Sequence, residues 1–212
     1  MAYSADSFVA DEQPTTAKWN KLWTNDASFN DGTGIGDDTI DSRHYVAGSV
    51  DYEHLGSDVG GYQVLYDSGE QVGTSTSMSS GTITAKNLLR IFAWVLPSGG
   101  TLNVGLRFNN DSGNNYAEVG AGGSIAQCNM RTVIDANNVY TEVGVYNTAA
   151  QEKLLRLHSV ERSAAGAANA PTQKSTSLKW ANASSAITRV DVVDTGGTGD
   201  IGAGSRLLVL GK

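Results

Sequence analysis

Along the chain the apolar positions keep one period near the amino end, a second just after it, and a third from residue 61 onward. Between residues 14 and 29, Trp19, Leu22 and Trp23 recur at i, i+3 and i+4, with Ala27 one turn later. This spacing predicts a helix with those residues on one face and Lys18, Lys21, Asn25 and Ser28 on the other. Thr15 or Thr16 can cap its start, and Pro14 is tolerated in the first turn. A helix this short is marginal alone in water. Its two tryptophans are therefore expected to anchor it, either on the chain's own β domain or on a partner chain.

After the turn-rich Asn30-Asp31-Gly32-Thr33-Gly34 the period changes. Ile35, Ile40, Tyr45, Val50 and Leu55 stand five apart, which suits neither a helix nor a strand. Residues 37–46 and 47–56 align as two decapeptides, each reading Thr/Ser, Ile/Val, Asp, two variable residues, His, then Tyr/Leu. Each unit has too few large apolar residues to bury a core by itself. Three identical strands around a common axis would solve this, each giving one apolar residue per layer. The pattern therefore predicts a homotrimeric stalk with those five residues on its axis. The alternative is an irregular loop laid over the following domain.

From Tyr62 the pattern becomes short apolar or alternating runs separated by Gly, Asn, Asp and Ser. Strands are expected at 62–67, 87–96, 101–108, 124–134, 139–146, 152–160, 175–180, 187–194 and 207–210. Residues 89–96 are nearly continuously apolar and read as a central strand buried on both faces. In 139–146, Val139, Thr141, Val143 and Val145 alternate onto one side, as in a half-exposed strand. Turns are expected at 97–100, 109–115 and 195–199, and an exposed loop at 164–170. The expected fold is mainly β: an antiparallel β-sandwich of jelly-roll type over 61–212, preceded by the helix and stalk of 1–60.

Composition narrows the chemistry. With 15 Lys+Arg against 22 Asp+Glu, the formal net charge of -7 argues against nucleic-acid binding. The one cysteine, Cys128, rules out an intrachain disulfide and reads as a buried, inert thiol, in keeping with assembly inside a cell. No window has the length of apolar sequence that a membrane helix needs, and the first residues lack the pattern of a secretion signal.

The sequence has no phosphate-binding loop, no Gly-x-Ser-x-Gly elbow and no His-Glu-x-x-His, so neither an enzyme nor a cofactor is expected. His44 and His54 hold matching places in the two decapeptides; they could ring a trimer axis as metal ligands, but the outward position is favoured and no metal is expected. His158 reads as structural. The loop carrying Asn109, Asp111, Asn114 and Tyr116 is rich in oxygen ligands, and is a candidate for binding sugar hydroxyls with Tyr116 as a stacking platform. The other reading of that loop is an ordinary polar turn.

Several of these segments are similar to one family. The order Thr16-Ala17-Lys18-Trp19-Asn20, Asn25-Asp26, Asp31-Gly32-Thr33-Gly34-Ile35 and the two decapeptides resembles the amino-terminal part of virion fibres and spikes of tailed bacteriophages. Residues 107–116 and 203–211 look like the β-sandwich heads of phage minor structural proteins. Many such repeats have Lys where this chain has His44 and His54. The resemblance implies a non-catalytic homotrimer in a virion: a head fibre, decoration protein or short tail fibre that residues 1–60 attach to capsid or tail proteins. An alternative it implies is a head that binds host surface polysaccharide.

Overall fold

The computed structural model describes residues 15–17, 20, 61–133, 137–196 and 198–212. The chain separates into two units, Met1–Gly60 and Gly61–Lys212. In the first, Thr16, Ala17 and Asn20 have helical backbone. The helix-face residues Trp19, Leu22 and Trp23 and the stalk positions Ile35, Ile40, Tyr45, Val50 and Leu55 lie outside the described residues.

The second unit is built from strands. In chain order they are β1 (Gln63–Asp67), β2 (Ser77–Ser79), β3 (Leu88–Val95), β4 (Pro97–Ser98), β5 (Leu102–Phe108), β6 (Tyr116–Glu118), β7 (Cys128–Val133), β8 (Val139–Tyr146), β9 (Lys153–Glu161), β10 (Thr172–Trp180), β11 (Val190–Asp194), β12 (Asp200–Ile201) and β13 (Arg206–Gly211). Seven form one sheet in the order β1-β13-β3-β8-β9-β10-β6, and four form a second in the order β2-β11-β5-β7. Every pairing is antiparallel. The inner faces of the two sheets share one apolar core, an arrangement consistent with a β-sandwich.

Alternation builds that core. β8 buries Val139, Thr141, Val143 and Val145 and turns Tyr140, Glu142, Gly144 and Tyr146 outward. β3 behaves the same way, and this corrects the expectation of a strand buried on both faces. It is central, between β13 and β8, but only Leu89, Ile91, Ala93 and Val95 are buried, whereas Leu88 and Trp94 on the other face are exposed. Its outward apolar residues simply face away from the second sheet, which covers only one side of the seven strands. A second correction concerns 97–100. Pro97 and Ser98 form β4, paired with β12, and the turn is left to Gly99 and Gly100 at φ of 78° and 144°.

Buried polar contacts tie elements together both between the sheets and within the larger one. Asn147, 2% exposed, donates from Nδ2 to the carbonyls of Lys86 and Ile187 and accepts the Ile187 amide at 2.6 Å, holding the end of β8 to the approach of β11. Thr141 and Ser159 share a buried hydroxyl contact of 2.8 Å across β8 and β9, and Ser159 reaches the Met130 carbonyl of β7. Lys153 is fully buried. Its ammonium donates to the carbonyls of Gln151 and Asn182, both at 2.7 Å, and lies 5.6 Å from the centre of the Trp180 ring. Burial holds it below the usual lysine range.

Candidate functional site

The Asn-rich loop is the first place to test. After β5 the chain reverses through Asn109 and Asn110, at φ of 51° and 58°, and the Asp111 amide bonds back to the Phe108 carbonyl at 2.9 Å. Two successive positive φ values suit a tight turn that Asn tolerates better than most residues. Its side chains are engaged within the fold. Asn109 Oδ1 accepts the amides of Thr188 and Arg189, and its Nδ2 donates to the Ala186 carbonyl. Asp111 accepts from Trp180 Nε1 at 2.7 Å, from the Gly113 amide and from Asn115. Burial pushes the Asp111 carboxyl up, but the bonds from Trp180, Gly113 and Asn115 outweigh it and leave it below the usual carboxylate range.

Tyr116 corrects the idea of a stacking platform. Its ring is fully buried with Phe108 and Trp180, at centroid distances of 6.2 and 6.4 Å, and its hydroxyl accepts the Phe108 amide and donates to the Asp111 carbonyl. Desolvation raises the phenol well above its ordinary range. Asn114 is exposed. The loop is thus a clamp that closes one end of the core by hydrogen bonds and aromatic packing.

The outer face of the seven-stranded sheet is built differently. Register sets out its side chains in rows: Leu88, Tyr146 and Leu154; then Arg90, Gly144 and Arg156; then Phe92, Glu142 and His158; then Trp94, Tyr140 and Val160. Tyr146 is 58% exposed and Leu154 66%, while Trp94 and Tyr140 are exposed at the other end. The Phe92 and Tyr140 rings stack at 6.4 Å.

Two of the hollows on this face are lined by aromatic side chains. One, of 570 Å³, is walled by Tyr62, Arg90, Glu142, Tyr146, Arg156 and His158, with Gly144 as part of its lining. A Cβ placed on Gly144 would meet nothing within 4 Å, so it is the missing side chain that leaves a trough between Arg90 and Arg156. The second hollow, of 580 Å³, has an apolar lining of Trp94, Tyr140, Val160 and Pro171, edged by Asn138, Arg162 and Asn169. The loop 164–170 that borders it is exposed throughout, as expected.

The charges on this face divide into two kinds. Arg90 is paired with Glu142 and also meets the Tyr62 hydroxyl, and Lys179 pairs with Glu152 at 2.8 Å. Arg156 and Arg162, both exposed, have no ion pair among the described residues. The Asn138 Oδ1 atom, at the edge of the second hollow, is buried without a hydrogen-bond partner.

None of these residues stands out in the sequence by a motif, although one signal for them is present. An alternation that buries Val139, Thr141, Val143 and Val145 necessarily turns Tyr140, Glu142 and Tyr146 outward. Elsewhere, Cys128 is buried and desolvation pushes its thiol up, as expected of an inert residue. Among the described residues no three His, Cys, Asp or Glu side chains gather as a metal site requires. No protein-family model, curated protein or solved structure matches the chain.

Proposed function

We propose that the chain is a homotrimeric, non-catalytic structural protein of a phage-like virion, in which residues 1–60 attach it to capsid or tail proteins and 61–212 form a displayed head. The observation that carries this reading is the unbroken five-residue spacing of Ile35, Ile40, Tyr45, Val50 and Leu55 ahead of a separate β unit. The strand orders support a jelly-roll head. The run β1-β13-β3-β8 lies within the larger sheet and β2-β11-β5-β7 makes up the smaller, and successive strands pass repeatedly from one sheet to the other. The β9 and β10 strands, with β6 beyond them, then widen one sheet. Jelly rolls are shared by virus shells and lectins, so the topology supports a class of architecture and not one activity.

Light scattering on the intact chain and on a chain beginning at Gly61 tests this. The expected result is three times the chain mass of 22.2 kDa for the first and a monomer for the second. A monomeric intact chain overturns the stalk.

A second reading is favoured by a separate observation, the exposed Trp94, Tyr140 and Tyr146 beside the two hollows. In it the head binds surface polysaccharide through the outer face of the larger sheet. Flat aromatic rings suit the C–H faces of sugars, and the edging amides and guanidiniums suit their hydroxyls. The two readings are compatible, since a trimeric stalk is a means of presenting a binding head.

A further inference from the structure

We infer that the outer face of β8 and β9 binds an acidic polysaccharide, with Arg156 and Arg162 taking carboxylates and Trp94, Tyr140 and Tyr146 taking sugar rings. This rests on the glycan-binding reading and adds to it the charge class of the ligand and the residues that select it.

Charge complementarity is the first argument. In a chain of net charge -7, two exposed guanidiniums on the same face have no ionic partner among the described residues, whereas the neighbouring Arg90 and Lys179 are paired with Glu142 and Glu152. A guanidinium is a planar fork whose donors match a carboxylate two at a time, which makes it selective for such anions. Arg162 follows Arg156 by six positions along one extended stretch, about 20 Å at the strand rise. That spacing suits a polymer with intermittent charges. A nucleic acid strand carries a charge on every nucleotide, and two free cations are few for it.

Shape is the second argument. Gly144 stands opposite both Arg90 and Arg156, and its missing side chain opens the trough. Further along the same strand pair, Trp94 and Tyr140 line the apolar hollow that Arg162 edges. Aromatic surface and a free cation are therefore repeated at each end of the face: Tyr146 with Arg156, and Tyr140 and Trp94 with Arg162. Asn138, whose buried Oδ1 has no hydrogen-bond partner, is one of the residues that edge the second of these ends.

The test is titration of the intact chain with polygalacturonate, hyaluronate and polysialate fragments, with neutral dextran and oligo-dT as comparisons, while light scattering follows the mass. At least one acidic glycan is expected to bind more tightly than dextran and oligo-dT, and to weaken as salt rises. Arg156→Gln and Arg162→Gln should each weaken that binding about tenfold, a loss set by one charge-assisted contact. Gly144→Leu should abolish binding at the trough without lowering the melting temperature, because a Cβ at Gly144 meets nothing within 4 Å and the residue lines the hollow.

Dextran binding that equals the best acidic glycan and ignores both Arg substitutions overturns the acidic preference and leaves the glycan reading standing. No binding to any glycan overturns both. Preference for oligo-dT overturns the inference in favour of nucleic acid. A change in assembly mass on Trp94→Ala overturns it too, because the face would then be occupied by a second copy of the chain.

Discussion

The Asn-rich loop after β5 and the outward face of β8 and β9 contain similar materials, aromatic rings beside amides and charges, and use them in opposite ways. In the loop, Asp111 holds Trp180 and the Gly113 amide, Asn109 holds Thr188 and Arg189, and Tyr116 lies under the surface packed against two other rings. On the sheet face, Tyr146 and Trp94 are exposed and Arg156 and Arg162 have no ionic partner among the described residues. A polar group already satisfied inside the fold would have to break a bond before meeting a ligand. Availability, and not composition, separates the two regions.

Substitutions break this contrast in order of size. The largest effect is expected from Trp180→Ala, which empties the ring cluster with Phe108 and Tyr116 and strips Asp111 of its indole donor. A loss of about 3–5 kcal/mol by denaturant unfolding is expected. Asp111→Ala leaves the buried indole N–H without an acceptor and should cost about 1–3 kcal/mol. Trp94→Ala, by contrast, removes a half-exposed ring on the outer face and should cost less than Trp180→Ala in the same unfolding series. Equal losses for Trp94 and Trp180 would show that the outer face is a packed surface and not an open one.

Gly144→Val sharpens the contrast from the other side. A Cβ there meets nothing within 4 Å and a β-branched residue suits a strand, so stability should hold or rise by up to about 1 kcal/mol in thermal unfolding. The smallest effect concerns acid. The Arg206 side chain beside Asp67, helped by the Gly69 amide, holds the Asp67 carboxyl down at about 2, and Asp111 is also lowered. A depressed carboxyl stabilises the fold above its unfolded value, near 4, and that contribution is lost as pH falls toward the folded value. Unfolding midpoints should therefore decline below about pH 4, and Asp111→Asn should flatten part of the decline. Asp67→Asn should do less, since its partner is exposed to solvent.

Strand alternation carried much of the fold in the sequence. The buried side of β8 was legible because Val139, Thr141, Val143 and Val145 are the only apolar or near-apolar choices on one side. β3 misled for the opposite reason. Leu88, Phe92 and Trp94 leave Arg90 as the one polar residue of its outward side, so burial there depends on which side the second sheet covers, which is a tertiary fact. The short β2, β4, β6 and β12 were missed because two or three residues carry no period; their pairing is decided by partners such as β11 and β10. The loop misled because oxygen-rich sequence looks the same whether its atoms face a ligand or the chain's own amides. The outer face was half legible, in the complement of β8's alternation, but the juxtaposition of Tyr140 with Trp94 and of Gly144 with Arg156 needed the register.

The pairing of β1 with β13 has a mechanical consequence. Gln63 stands opposite Gly211, and Asp67 opposite Leu208, so both strands begin their pairing at the same end of the unit, beside Gly61 and Lys212. Traction between those two points would open the ladder like a zipper, one step at a time, instead of shearing all its bonds together. Yielding would begin at β1. That strand is separated from β8 by β13 and β3, so the unit could give way at its edge while the β8 and β9 surface kept its shape.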